Sequence, residues 1–162
     1  MLAGTASGVR ATARRAGAQP SLPAPHSPSA LDICRRLHER NHGTTVDPDP
    51  LLQVVSHRLP TAVVVAAVGE IDLATADRLV TAVRAEFDLR PGIVVIELSA
   101  VTFLSSIGLA VLLEAQRTAD GCRQLLRIVV GDGRPVARSV AASGLSDHLP
   151  LFRTLDEALT AA

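Results

Sequence analysis

The chain has 162 residues, 48% hydrophobic and only 2% aromatic, and its sixteen positive charges, all arginine, balance sixteen acids. That is room for one ordinary domain and a tail, with Val, Leu, Ile and Ala filling the core, and no run reaches the roughly 18 apolar residues of a membrane span. Residues 1–46 hold six arginines against two acids and residues 47–162 hold ten against fourteen; the mildly acidic body excludes the clustered basic surface that nucleic-acid binding needs.

Residues 1–48 read as a disordered, low-complexity tail. Pro20, Pro23, Pro25 and Pro28 stand among Ser, Ala and His, a composition that favours extended chain. Inside it, residues 29–41 carry a short helical pattern, with Ser29 as cap and Leu31, Cys34, Leu37 and His38 on one face; thirteen residues are too few for a helix to be stable alone. The Asp47-Pro-Asp-Pro50 run is a linker or turn. Scattered arginines among Ala, Gly and Pro are a weak signal for nucleic acid or membrane. With no apolar stretch of a secretory signal, the expected compartment is the cytoplasm. Cys34 and Cys122 lie far apart, and no Cys or His pair has ligand spacing, so neither disulfide nor metal is expected.

From Leu51 the pattern becomes regular. Leu51 to Arg58 and Ala62 to Val68 predict two strands joined through Leu59-Pro60-Thr61, a hairpin. Ala74 to Phe87 places Leu79, Val83 and Phe87 at i, i+4 and i+8, an amphipathic helix that Pro91-Gly92 closes off. Ile93 to Leu98 predicts a buried strand, followed by a polar loop and a helix from Ser106 to Ala119 ending at Asp120-Gly121. Gln124 to Val130 predicts the next strand. Pro135 in a first turn and Gly144 at the C′ position bound a short helix over 135–143. Leu149 to Phe152 is a short strand, and Thr154-Leu-Asp-Glu157 is a capping box opening the last helix. The order β-β-α-β-α-β-α-β-α implies an α/β fold: a small, mixed, mostly parallel sheet packed with about four helices.

The chemistry concentrates where the Ile93–Leu98 strand runs on to the next helix, at Ser105, Ser106 and Gly108. A helix start leaves backbone N–H groups unpaired and carries partial positive charge. A serine there can be a cap, and a phosphate on it would be well received. Both readings stand at this point: two ordinary caps, or a phosphoacceptor. Asp72 precedes a predicted helix and reads as a helix-start residue satisfying backbone donors. Glu97, in a buried strand, reads as a paired structural acid, and His57 and His148 as surface or loop residues. Gly131-Asp132-Gly133 follows a strand but is not GxGxxG and has no P-loop lysine. No arrangement of Ser, His, Asp or Cys forms a catalytic set, so the chain reads as no enzyme, with no cofactor and no metal.

Across about 110 residues, from 51 to 162, three pieces of the chain resemble the STAS domain family, and among its members the single-domain anti-sigma factor antagonists of bacteria. Val68-Gly-Glu-Ile-Asp72 looks like the family's lead into its first helix. Val94-Val-Ile-Glu-Leu98 looks like its central strand. Phe103-Leu-Ser-Ser-Ile-Gly-Leu109 looks like its hallmark loop. The resemblance implies a STAS fold over residues 49–162 and places Ser106 where the partner kinase phosphorylates, with Ser105 as a rival acceptor. It places Gly108 at the hallmark glycine and Asp72 at the acidic residue near the loop, giving a partner-binding set of Asp72, Ser105, Ser106 and Gly108. Ser105 stands where the family usually has Asp, and Ile107 where it usually has Ser, Thr or Ala.

What the resemblance implies is a non-enzymatic partner switch. The unphosphorylated form would bind an anti-sigma factor serine kinase and release a sigma factor, without direct nucleic-acid contact or a membrane span, as a monomer or weak dimer. The alternative is a STAS accessory subunit of a membrane transport complex, docking on an ATPase and never phosphorylated. The tail is expected to be dispensable for folding. A chain beginning at Asp47 should therefore unfold in one cooperative transition under denaturant; a gradual, non-cooperative loss of structure would contradict it.

Overall fold

The computed structural model describes residues 51–132 and 134–161. The expected tail, its 29–41 helix, the Asp47–Pro50 turn, Cys34 and Gly133 lie outside the described residues. Among those described, five strands, β1 (Leu52–Arg58), β2 (Val63–Ile71), β3 (Ile93–Leu104), β4 (Leu125–Val129) and β5 (Leu151–Phe152), form one sheet in the order β1-β2-β3-β4-β5. Helices α1 (Ala76–Asp88), α2 (Ser106–Cys122), α3 (Pro135–Ala142) and α4 (Leu155–Thr160) alternate with them, and a 3-10 turn covers Ser146–His148. β1 and β2 are the expected antiparallel hairpin; β2, β3, β4 and β5 pair in parallel. The α/β class and the element order are those read from the sequence.

The side-chain alternation of β2 and β3 explains the layers. Val63, Val65 and Ala67 of β2 and Val94, Ile96 and Leu98 of β3 point to one face, where Leu79 and Val83 of α1, Leu112 and Ala119 of α2 and Val136 and Val140 of α3 complete the main core. Val64, Val95 and Val129 point to the other face and meet Leu155 and Ala158 of α4. A strand covered on both faces reads as a continuous apolar run, which is the pattern of Ala62 to Val68.

β3 is longer than its apolar stretch. The segment expected as a polar loop after Leu98 continues as strand to Leu104, with Val101, Phe103 and Leu104 paired to Gly69, Glu70 and Ile71 across two register shifts. Gly69 makes the shift possible: its φ is +114°, and the Leu51 carbonyl approaches it so closely that it accepts the Glu70 N–H at 2.7 Å. A Cβ at 69 would collide with that carbonyl. Ser99 and Thr102 made the stretch look like a loop, but the Thr102 hydroxyl ties the strand to the Gly69 carbonyl at 3.2 Å.

Other boundaries moved for local reasons. α1 begins at Ala76, two residues late, because Asp72 to Thr75 form their own turn. α2 runs through Asp120-Gly121 to Cys122 and stops where Arg123 adopts φ +55°. α3 ends as expected: Gly144, at φ +72°, donates to Ala141 and Leu145 donates to Val140, a Schellman closure. In the capping box Thr154 accepts the Glu157 N–H at 3.2 Å, but the Glu157 carboxylate reaches the Arg153 N–H instead of the cap's own.

Two ionisable side chains are buried on the α4 face. Arg127 donates to the carbonyls of Ala158 and, at 2.8 Å, Ala161, closing the end of α4 with a positive charge where the helix dipole favours one. Glu97 is 2% exposed and, among the described residues, has no ion pair; its expected pairing is met there by a hydrogen bond, one carboxylate oxygen accepting the Ser99 N–H at 2.8 Å. Burial pushes its pKa up, and the hydrogen bonds from Ser99 only partly offset this. An acid held above its unfolded pKa contributes stability that is complete below the unfolded value and is lost as pH rises through the folded one. Glu97→Gln keeps the acceptor and cannot ionise. It should match the parent protein's denaturant midpoint in acid and exceed it at neutral pH, so a parallel pH dependence in the two proteins would refute this account.

Candidate functional site

Parallel pairing brings the ends of β2 and β3 to one edge of the sheet, and the candidate residues gather there. The Ser105 N–H donates to the Ile71 carbonyl at 2.9 Å, which sets the start of α2 directly beside the Asp72 turn. Asp72 Oδ1 accepts the N–H groups of Ala74 at 2.9 Å and Thr75 at 3.1 Å, while its carbonyl accepts the Ala76 N–H. It is the helix-start residue that the sequence predicted. The turn is clamped by Thr75, which is fully buried; its hydroxyl donates to the Glu70 carbonyl at 2.8 Å and accepts the Asp72 N–H at 3.0 Å. Thr75 was missed in the sequence, although its place three residues after Asp72 is a capping spacing.

The two serines divide the possible roles between them. Ser105 is the cap of α2: extended backbone at φ −79° and ψ 173°, half-buried, its hydroxyl accepting the Gly108 N–H at 3.3 Å. Ser106, the first helical residue, is exposed, and its hydroxyl makes no hydrogen bond among the described residues. The backbone N–H groups of Ser106 and Ile107 also lack partners there. A free hydroxyl thus stands beside two unpaired donors at the positive end of a seventeen-residue helix.

Gly108 lies beneath this surface. Its φ is ordinary, so conformational freedom is not its function; a Cβ there would strike the Leu104 side chain and stand 2.9 Å from Ile71. The first turn of α2 therefore sits flush on the sheet only with glycine at 108.

Around the serines the surface is apolar. Leu73 is 77% exposed, Phe103 50% and Ile107 37%. In the sequence Phe103 and Ile107 stood out only as members of the hallmark-like loop and Leu73 not at all; their signal as surface was an apolar residue at a turn or strand end out of step with the buried face. Ile107 also borders an open groove between α1 and α2, about 220 Å3, lined by Val80, Val83, Phe87 and Val111. Elsewhere, Asp132 of the Gly131-Asp132 turn pairs with both Arg153 nitrogens, which holds its carboxyl below the usual range. Gly131, at φ +70°, packs against Ser99. His57 lies half-buried in β1 rather than in a loop, and His148 is exposed. Among the described residues no three His, Cys, Asp or Glu side chains lie together to hold a metal, and no helix is long and apolar enough to cross a membrane.

The STAS domain model matches residues 53–158. The chain belongs to the STAS domain family. It is 40% identical over 93 residues, 57% of this chain and 74% of the relative, to the anti-sigma-F factor antagonist RsfB of Mycobacterium tuberculosis. Among solved structures it is similar to an anti-sigma factor antagonist from Mycobacterium paratuberculosis, with 34% identity and a TM-score of 0.62 over 72% of this chain and 97% of that one. SpoIIAA in its unphosphorylated form matches with a TM-score of 0.56 and 15% identity over 66% of this chain and 93% of its own; at that identity the likeness is one of fold. The STAS fold is the one the three motifs implied.

Because Gly108 is confined by Leu104 and Ile71, Gly108→Ala should lower stability by about 1–3 kcal/mol, the usual cost of overpacking. Denaturant midpoints measure this. An unchanged midpoint would mean the first turn can lift freely from the sheet.

Proposed function

We propose that this chain is an anti-sigma factor antagonist acting by partner switching. Its unphosphorylated form binds an anti-sigma factor that is also a serine kinase and so frees a sigma factor, and phosphorylation of Ser106 ends the interaction. The observation that carries the reading is the division of labour between the serines: Ser105 is occupied as the cap, whereas the exposed Ser106 hydroxyl has no partner among the described residues. This favours Ser106 over Ser105 as acceptor, and the similarity to RsfB supports the class of partner.

The chemistry asked of the chain is small. Kinase and ATP come from the partner, and the antagonist presents a hydroxyl within a surface that the partner covers. Leu73, Phe103 and Ile107 supply apolar contact, Asp72, Ser105 and Ser106 supply polar groups, and Gly108 sets their height from below. A phosphate adds about −1.5 to −2 charges. In the free protein the start of α2 stabilises it by about 0.3–1 kcal/mol. In a complex it would have to be desolvated against apolar surface on an acidic body, so release needs no large rearrangement of the fold. The domain acts as a monomer or weak dimer of residues 49–162, without touching DNA.

The test is retention of proteins from the host lysate on Ser106→Ala, Ser106→Glu and Ser105→Ala forms, identified by mass. The Ser106→Ala form should retain an ATPase-fold kinase that the Ser106→Glu form loses at least tenfold, and Ser105→Ala should still be phosphorylated by that kinase. Equal retention by the two Ser106 forms, or retention of membrane transport components alone, would reduce Ser106 to a helix-start residue and favour the transport-subunit reading.

A further inference from the structure

The two edges of the sheet differ in what they offer another chain. β5 is two residues long, the short kind of edge that gives a partner little to pair with. β1 is seven residues long, pairs with β2 without a bulge, and holds no proline, lysine or acid. It carries none of the devices that usually keep an edge strand from pairing.

The two ends of β1 fix which of its backbone groups turn outward. The Leu51 carbonyl accepts the Glu70 N–H at 2.7 Å, and the Leu59 N–H donates to the Ala62 carbonyl at 2.8 Å. With an unbroken register between them, the odd-numbered residues turn their backbone groups to β2. Leu52, Val54, Ser56 and Arg58 therefore turn theirs away from the sheet. Arg78 takes the Leu52 carbonyl at 3.4 Å, whereas the N–H and carbonyl groups of Val54 and Ser56 have no partner among the described residues.

An antiparallel neighbour must set outward residues against outward residues. A second β1 does this over the whole strand in one register, with a two-fold axis beside Val55. Val54 then faces Ser56 of the other copy, Leu52 faces Arg58, and each of the central pairs exchanges both its bonds. An axis beside Val54 carries Arg58 past the end of the other strand, and one beside Ser56 carries Leu52 past it. The side chains agree with the same register. Val55 meets Val55 in a non-hydrogen-bonded pair, where side chains come closest, and His57 meets Gln53. No like charges of the two strands stand opposite each other.

We propose that two copies of this chain associate through β1, antiparallel about Val55, into one continuous ten-stranded sheet. The end pairs are shared with Arg78, whose guanidinium is brought toward the Arg58–Glu86 ion pair of the other copy. One strand pair supplies less than the roughly 1,200–2,000 Å2 of a stable interface, so the dimer is weak. Antiparallel pairing sends the two Ser106 surfaces to opposite ends of the joint sheet. Each stays open to a partner, and the dimer does not depend on phosphorylation.

The full chain is tested by sedimentation equilibrium from about 10 µM to 1 mM, the range in which weak association shows. It should follow a monomer–dimer equilibrium. Val55→Lys sets like charges directly opposite, and Ser56→Pro removes an outward N–H at an edge position that tolerates proline. Each should raise the dissociation constant at least tenfold. Independently, with Cys34 and Cys122 replaced by Ala, Val55→Cys should form a disulfide between two chains in a glutathione buffer. Gln53→Cys should not, because the two Gln53 positions lie about 13 Å apart along the strands. A monomer throughout the range overturns the proposal, as does equal cross-linking at 53 and 55. A dimer that both β1 variants leave unchanged also overturns it, and moves the contact to another surface such as the α1–α2 groove.

Discussion

One hydrogen bond organises the functional edge: the Ser105 N–H to the Ile71 carbonyl, at 2.9 Å. It is the last step of the β2–β3 pairing and also the first step of α2, because Ser105 both ends the strand run and caps the helix. The Asp72 turn follows Ile71 directly, so the same bond sets Asp72 and the two serines side by side. It holds only if α2 can lie close to the sheet, and that closeness depends on the missing side chain of Gly108 over Leu104 and Ile71. The exposed candidate surface is thus fixed by buried packing just below it.

The fold was legible where periodicity and punctuation agreed. The hairpin, the α1 stripe of Leu79, Val83 and Phe87, and the Gly144 stop each rest on local physics that tertiary contacts leave unchanged. Misreadings came where a long-range contact overrode local polarity. Ser99 and Thr102 suggested a loop, yet β2 offers them a parallel neighbour as far as Ile71, through a Gly69 shift that only the arrival of the Leu51 carbonyl explains. Gly121 suggested a helix end, yet nothing crowds it, and the helix continued to Cys122 before Arg123 closed it.

The candidate site was legible in its polar residues, in that the structure brings them together, and not in its apolar ones. Ser105, Ser106, Gly108 and Asp72 carry motif spacing, and the structure brings all four to one edge. That Leu73, Phe103 and Ile107 are exposed was not legible, because apolar residues in an apolar-rich chain carry no sign of direction. Which serine caps and which stays free also lay beyond the sequence, since that depends on whether the strand ends at 104 or earlier. Glu97 shows the same limit from inside: its place in a buried strand was plain, but that no described residue offers it a cation was not.

The serine at 105 separates two properties that the family's usual aspartate would combine. As caps, Ser and Asp are nearly equivalent, each accepting an N–H of the first turn, so the Gly108 contact survives either residue. Their electrostatics differ. An aspartate would already satisfy part of the positive potential at the start of α2, about 0.3–1 kcal/mol, and would repel a phosphate on the next residue. Ser105 leaves that potential unspent, with the N–H groups of Ser106 and Ile107 beside it unpaired among the described residues. A phosphate on Ser106 would therefore be more comfortable in the free protein than beside an aspartate, while its cost inside an apolar interface would be unchanged. In the proposed switch, serine at 105 would thus favour the released state without altering the helix that carries it.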